Sequence, residues 1–515
     1  MLNTLLDISE ESTGEFDKTQ IERLFLDLFI AGNDTTSAAL EWTMAELIHN
    51  PERDGLFLEL YTMSLPHLDH NSSFYSIARS KVTSTKLPPG PKPFPIIGNL
   101  LELVGHKPQK SMAKLANTHG PLMTLKLGQK TTIVISSADL AKEVLQQHDQ
   151  FFCNHTIPES VVAGNEHEFS LPWLPVSAQW RNLRRICKSH LFANQILDAN
   201  QNLRRKKVQE LLADIHNSSL NGDAVDIGKA AFKTSLNLLS NTIFSVDLAD
   251  PNSATGRELS KLVHSILEVG SRPNLADYFP VLKKVDFQGI WRQMTIYFGK
   301  MIDLFSSIIS QWLLQSKTFG SIRNNDMLDT LFHISEEKST GEIDKTQIER
   351  LFVDLFLAGN DTTSATLEWA MAELLYNPEV LTKAKAELKQ IIGKGNAVVE
   401  SDIDCSLYLQ AIVKETFRDA SIWENPNSFK PERFMGSEID VKGRNFELIP
   451  FGAGRRMCPG LPLALRMLHL MLGSLIHTFD WKVEGGFKPK DIYFEEKFGL
   501  TFQKAEPLRA IPIMV

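Results

Sequence analysis

The sequence predicts a mainly α-helical fold with a small β-sheet portion. Most of the chain beyond Leu191 carries apolar residues at the spacing of amphipathic helices, whereas runs with strand-like alternation are few. With 515 residues and 43% hydrophobic content, the chain has enough apolar side chains for one large core or for two to three ordinary ones.

The predicted elements follow one another in a definite order. Between Ser111 and Gln147 the sequence indicates a helix, two β-rich runs and a second helix, and TTIVIS at residues 131–136 is the clearest strand. Long amphipathic helices are then predicted at residues 201–216, 228–244, 257–270 and 294–315.

Charge and cysteine usage exclude several classes of protein. The formal net charge is -8, the pI is about 6.0 and no long Lys/Arg block is present, so we expect no nucleic-acid partner. The cysteines are far apart and form no CxxC or Cys/His cluster, which argues against zinc and iron-sulfur sites and favours a reducing, cytosol-facing compartment. These cysteines are Cys153, Cys187, Cys405 and Cys458.

The N-terminal part of the chain gives no sign of membrane insertion. The first residues, MLNTLLDISEESTGE, are too acidic for a signal peptide. An uninterrupted apolar run of about 18 residues, the length that a membrane span needs, is absent from the sequence. We therefore expect this chain to lack a transmembrane anchor.

One long stretch occurs twice. IERLFLDLFIAGNDTTSAALEW at Ile21 to Trp42 returns as IERLFVDLFLAGNDTTSATLEW at Ile348 to Trp369, with three positions changed and an offset of 327 positions. Repeat arrays need several copies at short, regular spacing, and nothing similar lies between these two. The repetition therefore indicates a duplicated fragment.

A polar linker and a proline-rich track separate the first copy from the rest. Residues 64–85 are rich in Ser and other polar residues, which is typical of a linker. LPPGPKPFPIIGNL follows at residues 87–100, where five prolines and two glycines prevent helix formation and favour an extended chain. We place a domain boundary here.

The decapeptide FGAGRRMCPG carries the most chemical information. Gly452 and Gly454 allow tight turns that expose backbone amides, and Cys458 stands just before the helical run LPLALRMLHLMLGSLIHTF. A thiolate in that position gains from the helix dipole and from free N–H donors. A lone cysteine is more often buried and inert, but the glycine and arginine spacing weighs against that alternative.

The pattern FxxGxRxCxG, present at Phe451, Gly454, Arg456, Cys458 and Gly460, resembles the haem-binding loop of the cytochrome P-450 superfamily. The resemblance implies that the Cys458 thiolate is the axial ligand of the haem iron, which favours activation of dioxygen. It also implies that Arg456 pairs with a haem propionate, and that the fold is the mainly helical cytochrome P-450 fold.

Two further motifs resemble parts of the same superfamily. Glu415 and Arg418 in KETFR, taken with Arg433 in PERF, resemble its Glu-Arg-Arg structural triad. By itself, a Glu and an Arg three residues apart are usually a solvated pair of little energetic value. Trp180 and Arg184 in WRNLR resemble the WxxxR helix that meets a propionate, with Trp180 as an ordinary core residue an equal alternative.

The repeated stretch contains a helix interior with a destabilising glycine. Gly359 weakens a helix by about 1 kcal/mol, and a following threonine hydroxyl can bond the Ala358 carbonyl and bend the helix open. The stretch resembles the superfamily's oxygen-binding helix, which implies that Thr362 holds oxygen or water and that Asp361 relays protons. The alternative is that these polar residues only interrupt a surface helix.

Chain order decides between the two copies. The copy that begins at Ile348 precedes Glu415 and Cys458, as the superfamily's order of elements requires, so the resemblance assigns the catalytic roles to Asp361 and Thr362. Asp34 and Thr35 are then bystanders, in the tail of a partial second copy of the kind that a tandem duplication or an erroneous gene model produces.

These considerations give a division of the chain. We expect a duplicated fragment at residues 1–63, a linker at 64–85 and a cytochrome P-450 domain at 86–515. The superfamily places several short strands after KETFR, roughly 40 residues at ordinary strand and loop lengths, and here Asp419 follows Arg418 directly. Without these strands we expect an incomplete sheet and a crippled or inactive product.

The amino-acid sequence resembles most closely the plant geraniol hydroxylase group of this superfamily. That resemblance implies a monooxygenase that uses haem and O2, draws electrons from NADPH through a separate reductase, and oxidises a small apolar substrate such as the monoterpenoid alcohol geraniol. It also implies a place on the cytosolic face of the endoplasmic reticulum. Residues 157–174, Phe356, Ala358 and residues 498–500 are the expected pocket walls.

Two other functions remain open at this point. The missing block favours an inactive haem-binding pseudoenzyme or a gene-model artefact. A thiolate-haem isomerase or dehydratase would need neither oxygen nor a reductase, but Asp361 and Thr362 argue against it.

Overall fold

The structure is a computed structural model, and it describes residues 87–103, 107–249, 253–319, 326–336, 343–418, 428–486, 488–497 and 499–514. The copy that begins at Ile21 and the linker lie outside the described residues. Almost everything described belongs to one compact unit, made of residues 88–102 and 109–515.

The prediction of a mainly α-helical fold is confirmed. The described helices, in chain order, are α1 (Pro108–His119), α2 (Ala138–Lys142), α3 (Asp149–Phe152), α4 (Glu159–Val162), α5 (Ala178–Ile186), α6 (Asn194–Ala199), α7 (Gln201–Asn221), α8 (Ile227–Phe244), α9 (Ala254–Gly270), α10 (Leu275–Tyr278), α11 (Ile290–Phe319), α12 (Met327–Glu336), α13 (Lys345–Tyr376), α14 (Pro378–Ile392), α15 (Glu400–Cys405), α16 (Leu407–Thr416) and α17 (Leu461–Thr478).

The β-structure is small, as expected, and its strands pair antiparallel. One sheet joins β1 and β2, a second has the order β3-β7-β4, and a third joins β5 and β6. Their bounds are β1 (Leu122–Leu127), β2 (Lys130–Ile135), β3 (Val225–Asp226), β4 (Phe479–Val483), β5 (Glu496–Lys497), β6 (Gln503–Lys504) and β7 (Arg509–Met514).

The individual predictions agree with these bounds. The strand expected at residues 131–136 is β2, and the helices expected at 201–216, 228–244 and 257–270 are α7, α8 and α9. The helix expected at 294–315 is α11. Within residues 87–100, helical structure begins only with a 3-10 turn at Leu100–Glu102, as the prolines require.

Helix α13 organises the core around it. It begins with a capping box, in which the Asp344 side chain accepts from the Gln347 N–H at 2.8 Å and the Gln347 side chain accepts from the Asp344 N–H at 3.0 Å. Phe352 and Phe356, both fully buried, then pack against the rings of Phe244 and other aromatic residues. The helix is therefore fixed at its start and along its apolar face.

Helix α17 belongs to a core cluster that also contains buried residues of α13 and α14. Among the described residues it is the one helix with the length and apolar composition to cross a membrane, a test that buried helices of soluble proteins also pass, and 61% of it is buried inside the protein. It packs against α13, and its buried residues share one core cluster with the C-terminal half of α13.

Candidate active site

The glycines of the FGAGRRMCPG loop set its shape. Gly452 and Gly454 have φ angles of 72° and 67°, in the left-handed region. A Cβ on Gly454 would lie 2.1 Å from the carbonyl oxygen of Leu145, so the close approach of the two backbones requires glycine. The Cys458 N–H donates to the Phe451 carbonyl at 2.9 Å, which closes the loop directly before α17.

Cys458 lies half-buried at the N-terminal end of α17. Burial raises the pKa of its thiol, while N–H groups of Gly460 and Leu461 and the charge of Arg184 act in the opposite direction. Those amides are the unpaired donors at the start of a helix. The arrangement stabilises a thiolate once a positive centre is brought to the sulfur.

The structure brings Arg184 and Arg456 to this loop, and both guanidinium groups lie near the ring of Trp180. Their guanidinium carbons lie 5.9 Å and 5.2 Å from the centroid of the Trp180 ring. Arg184 donates to the Met457 carbonyl. Arg456 donates to backbone carbonyls of the segment before α5, at 3.0 Å from Pro172 O and 2.5 Å from Leu174 O.

Trp180 is also a core residue. Its side chain is 6% exposed, and its indole N–H donates to the Leu171 carbonyl at 3.2 Å. The residue is positioned by the cap of α5, where the Ser177 hydroxyl accepts from the Trp180 N–H. Core packing and a place beside both arginines are therefore compatible.

The side chain of Phe451 packs the loop against the residue that follows α16. Its ring meets that of Phe417 edge to face, with centroids 5.7 Å apart. Phe417 directly follows α16, which carries Glu415, so the loop and α16 are packed against each other.

Glu415 lies between Arg418 and Arg433, the two arginines of the predicted structural triad. Its fully buried carboxylate is 2.8 Å from Arg433 Nε and 3.4 Å from Arg418 Nε. It also accepts from the Lys430 N–H at 2.8 Å. Burial raises the pKa of Glu415, and the amide and both arginines oppose that shift. The group ties α16 to the PERF turn.

On α13, the Thr362 hydroxyl donates to the Ala358 carbonyl at 2.7 Å, as expected. The expected opening of the helix is wrong, because α13 is continuous from Lys345 to Tyr376. The Thr362 hydroxyl therefore bonds the Ala358 carbonyl while the helix stays continuous through both residues.

Ala358 and Thr362 form an exposed stripe on a helix that is mostly buried. Leu355, one turn earlier, lines a small cavity together with Leu463 of α17 and Phe192. The ring of Phe192 lies 3.8 Å from the place that a Cβ on Gly460 would occupy. The turn of α13 that carries Leu355 and the first turn of α17 thus border the same cavity.

The side chain of Asp361 is directed toward β6 and not toward the exposed stripe. Its carboxylate, 6% exposed, accepts a hydrogen bond from the side-chain amide of Gln503 in β6. Sequence reasoning missed Gln503, since 142 positions separate the two residues and no motif connects them. The neighbouring positions 361 and 362 therefore face different surroundings.

One expected pocket wall is wrong. Phe356 is fully buried in an aromatic cluster, with its ring centroid 5.1 Å from that of Phe305 and 6.1 Å from that of Phe244. It faces the core because it lies on the apolar side of α13, opposite the exposed stripe. Leu500 is 69% exposed, and Phe498 lies outside the described residues.

Comparison with known proteins identifies the chain. The family model "Cytochrome P450" matches residues 1–54, 88–422 and 418–508. A geraniol 8-hydroxylase of Swertia mussotii is 52% identical over 467 residues, which cover 83% of this chain and 94% of that protein. A geraniol 8-hydroxylase of Catharanthus roseus is 51% identical with the same coverage, and a drimenol monooxygenase of Persicaria hydropiper is 46% identical over 85% of this chain and 94% of its own length.

Matches of this extent define a haem-dependent oxidoreductase of the monooxygenase class. The chain belongs to the cytochrome P450 family. Its cofactor is haem, its co-substrate is O2, and NADPH supplies electrons through a redox partner. Plant members act on small substrates and are typically associated with the endoplasmic reticulum.

The residues around the loop are chemically suited to haem. Cys458 offers a soft sulfur ligand with amide donors directed at it. Arg184 and Arg456 each donate guanidinium N–H groups to backbone carbonyl oxygens. A haem propionate can accept hydrogen bonds from N–H groups of the same kind.

Proposed function

We propose that Cys458 is the axial thiolate ligand of the haem iron and that the enzyme hydroxylates a monoterpenoid alcohol such as geraniol. The observation that carries the proposal is the position of the Cys458 sulfur, at the start of α17, with the amides of Gly460 and Leu461 directed at it. Relatives of known activity support the substrate class, since two proteins that share half of their residues with this chain are geraniol 8-hydroxylases.

The neighbouring residues hold the cofactor. With haem bound, Arg456 and Arg184 would pair with its propionates, and Trp180 packs beside both guanidinium groups. Their positions around the Trp180 ring support this role. Phe451 and Gly454 shape the loop, Phe451 by its backbone carbonyl and Gly454 by its close approach to Leu145.

Two residues of α13 handle oxygen and protons. When bound, haem supplies the site at which dioxygen is activated. The Thr362 hydroxyl holds oxygen or water beside the iron, which its exposure on the stripe supports. Asp361 moves protons toward that site, and because its carboxylate bonds Gln503, it must exchange this partner for water to do so.

The remaining roles are structural or concern partners. Glu415, Arg418 and Arg433 form a structural triad, supported by their distances of 2.8 Å and 3.4 Å. The electron donor is an NADPH-cytochrome reductase, and the enzyme works at the cytosolic face of the endoplasmic reticulum. The expected lack of a membrane anchor falls on residues that the structure does not describe.

We further propose that residues 1–63 are a duplicated fragment, that residues 64–85 are a linker, and that a block is absent at 418/419 of the domain at 86–515. The family match to residues 1–54 and the adjoining ends of the two later matched ranges, 422 and 418, support this. The alignment to the Swertia protein spans 467 positions but only 83% of 515 residues, about 427, so about 40 positions lack a counterpart.

Carbon monoxide spectroscopy tests the ligand. We expect the reduced, haem-loaded chain to give the red-shifted band of a thiolate complex, and Cys458→Ser to lose it. Cys405→Ser is the matched control, because Cys405 is exposed at the end of α15 and should not alter the band. An unchanged spectrum in Cys458→Ser would refute the proposal. Turnover of geraniol with reductase then tests the substrate, and consumption of NADPH separates a monooxygenase from an isomerase.

A further inference from the structure

The segment Ala163–Leu171, which we call the 163–171 segment, is attached to α13 at two points. Arg350 donates to the Gly164 carbonyl at 3.1 Å and forms an ion pair with Glu166. One turn later, Asp354 accepts from the Ser170 hydroxyl at 2.6 Å and from the Leu171 N–H at 2.7 Å. Both ends of the segment are thereby fixed to a single helix.

The two attachment points precede the exposed stripe along α13. Arg350, Asp354, Ala358 and Thr362 follow one another at four-residue intervals, so each lies about 40° around the helix axis from the one before. At 1.5 Å per residue, Asp354 is about 12 Å from Thr362 along the axis. The attachment of the 163–171 segment at Asp354 therefore lies about two helical turns before Thr362 on the same helix.

The charges at the attachment do not balance if both carboxyl groups are ionised. Glu166 is 2% exposed, and burial raises its pKa to about 7 against the charge of Arg350. Burial also raises the pKa of Asp354 to about 7, against its hydrogen bonds from Ser170 and Leu171, and the charge of Glu166 adds to that shift. One guanidinium cannot compensate two buried anions.

Few other titratable groups face this cluster. His167 belongs to the same segment, and Cys187, in the turn after α5, has its pKa raised to about 12 by burial and stays neutral. From α11, the side that packs on the segment is apolar, with Phe298 against Gly164. The ring of Phe169 lies 5.5 Å from the Arg350 guanidinium carbon. Glu168 of the same segment is exposed, so His167 is the one half-buried competing group to control for among these.

We propose that Arg350, Glu166 and Asp354 form a proton-linked latch that positions the 163–171 segment as a wall of the substrate space. The reading of this segment as a substrate wall rests on the proposed function. The latch itself does not, because it is built from contacts within the described chain.

The direction of the pH effect follows from the two raised pKa values. When the segment opens, water reaches both carboxyl groups and their pKa values return to the ordinary range near 4. The latched state then binds more protons than the open state. Its advantage is complete below about pH 4 and is lost as the pH rises through about 7.

Hydrogen exchange of the full-length chain tests the latch without haem or turnover. Protection factors are compared at pH 5.5 and 8.5, since they remove the intrinsic pH dependence of exchange. We expect protection of the 163–171 segment to fall about tenfold or more at the higher pH, because a pKa difference of one unit corresponds to a factor of ten. Peptides from the centre of α13 report whether the protein stays folded.

Variants separate the latch from simple packing. Asp354→Asn keeps an acceptor for Leu171 and removes one of the two titrating carboxyl groups, so we expect the fall in protection between pH 5.5 and pH 8.5 to be clearly smaller than in the wild type. His167→Gln should keep the wild-type dependence. Should Asp354→Asn fail to fold, Glu166→Gln makes the same comparison. The latch is overturned by a wild-type segment equally protected at both pH values, or by a foldable carboxamide variant that keeps the full dependence.

Discussion

The side-chain amide of Gln503 donates to the buried carboxylate of Asp361, and this contact joins the last hairpin to α13. Two further bonds continue the junction: Trp369 Nε1 donates to the Phe502 carbonyl at 2.7 Å, and the Leu508 N–H donates to Glu368 at 2.7 Å. The hairpin of β5 and β6 is therefore aligned along the helix that carries Thr362.

Replacing Gln503 by leucine should destabilise the protein. The variant leaves the Asp361 carboxylate without this donor, and an unsatisfied buried acceptor costs about 1–3 kcal/mol. We expect the urea midpoint to fall accordingly. Gln503→Glu places a second carboxyl beside the first, so its loss should be larger at pH 7 than at pH 5. Wild-type midpoints in both variants would rule out a stabilising contact.

Replacing Glu415 by glutamine should cost far more than losing a surface ion pair. Removing one partner of a buried pair leaves uncompensated charge, at about 3–5 kcal/mol, and here two arginines lose their carboxylate. The control is Asp214→Asn, whose partner Lys233 is 41% exposed and for which we expect at most about 1 kcal/mol. Equal losses in the two variants, measured by urea unfolding, would contradict a structural role for Glu415.

His469 should make the protein sensitive to acid. Burial in α17 lowers its pKa to about 4, with the Leu465 carbonyl opposing and Lys414 adding to the shift. A histidine whose pKa is depressed in the folded state stabilises fully above its ordinary value of about 6.5, and that stability is lost as the pH falls toward about 4. His469→Gln should remove roughly 2–3 kcal/mol of the difference in unfolding free energy between pH 7 and pH 4.5.

An exposed histidine provides the comparison for that measurement. His264 is 60% exposed, so His264→Gln should keep the wild-type pH dependence. If His469→Gln and wild type lose the same stability on acidification, the buried imidazole is not the group responsible.

Local patterns in the sequence were sufficient for much of the fold. Helices such as α7 and α11 have an amphipathic or apolar period that is visible over several turns, and β2 is a β-branched run. The two-residue strands β3, β5 and β6 have no such pattern, because they exist only through pairing with distant segments. Their prediction requires tertiary contacts.

The same distinction applies to the site. Cys458 and its glycines stand within ten residues of each other, so their spacing is informative. Gln503 and Glu166 each contact a residue of α13 that is 142 or 184 positions away in the sequence, respectively. Nothing in the local sequence marks either contact. Phe356 was misplaced for a related reason, since one apolar residue in a helix does not reveal which side faces the core.

The junction between Arg418 and Asp419 should limit haem binding. Within the described residues, β2 pairs only with β1, and Ile133 on β2 is 42% exposed. An edge of this kind is where a missing strand would add hydrogen bonds and cover apolar surface. We expect the chain to take up haem in well under an equimolar amount, measured by the haem absorbance per polypeptide after reconstitution.

Insertion of the missing block should repair that defect. When the corresponding segment of the Swertia geraniol 8-hydroxylase is placed between Arg418 and Asp419, we expect haem content to approach one per chain and the melting temperature to rise, since haem binding stabilises the folded state by mass action. A glycine-serine insert of equal length is the control and should restore neither. Removal of residues 1–63 should change little, because this fragment duplicates a helix whose place is filled by α13. Equimolar haem in the uninserted chain would show that the absent block is dispensable.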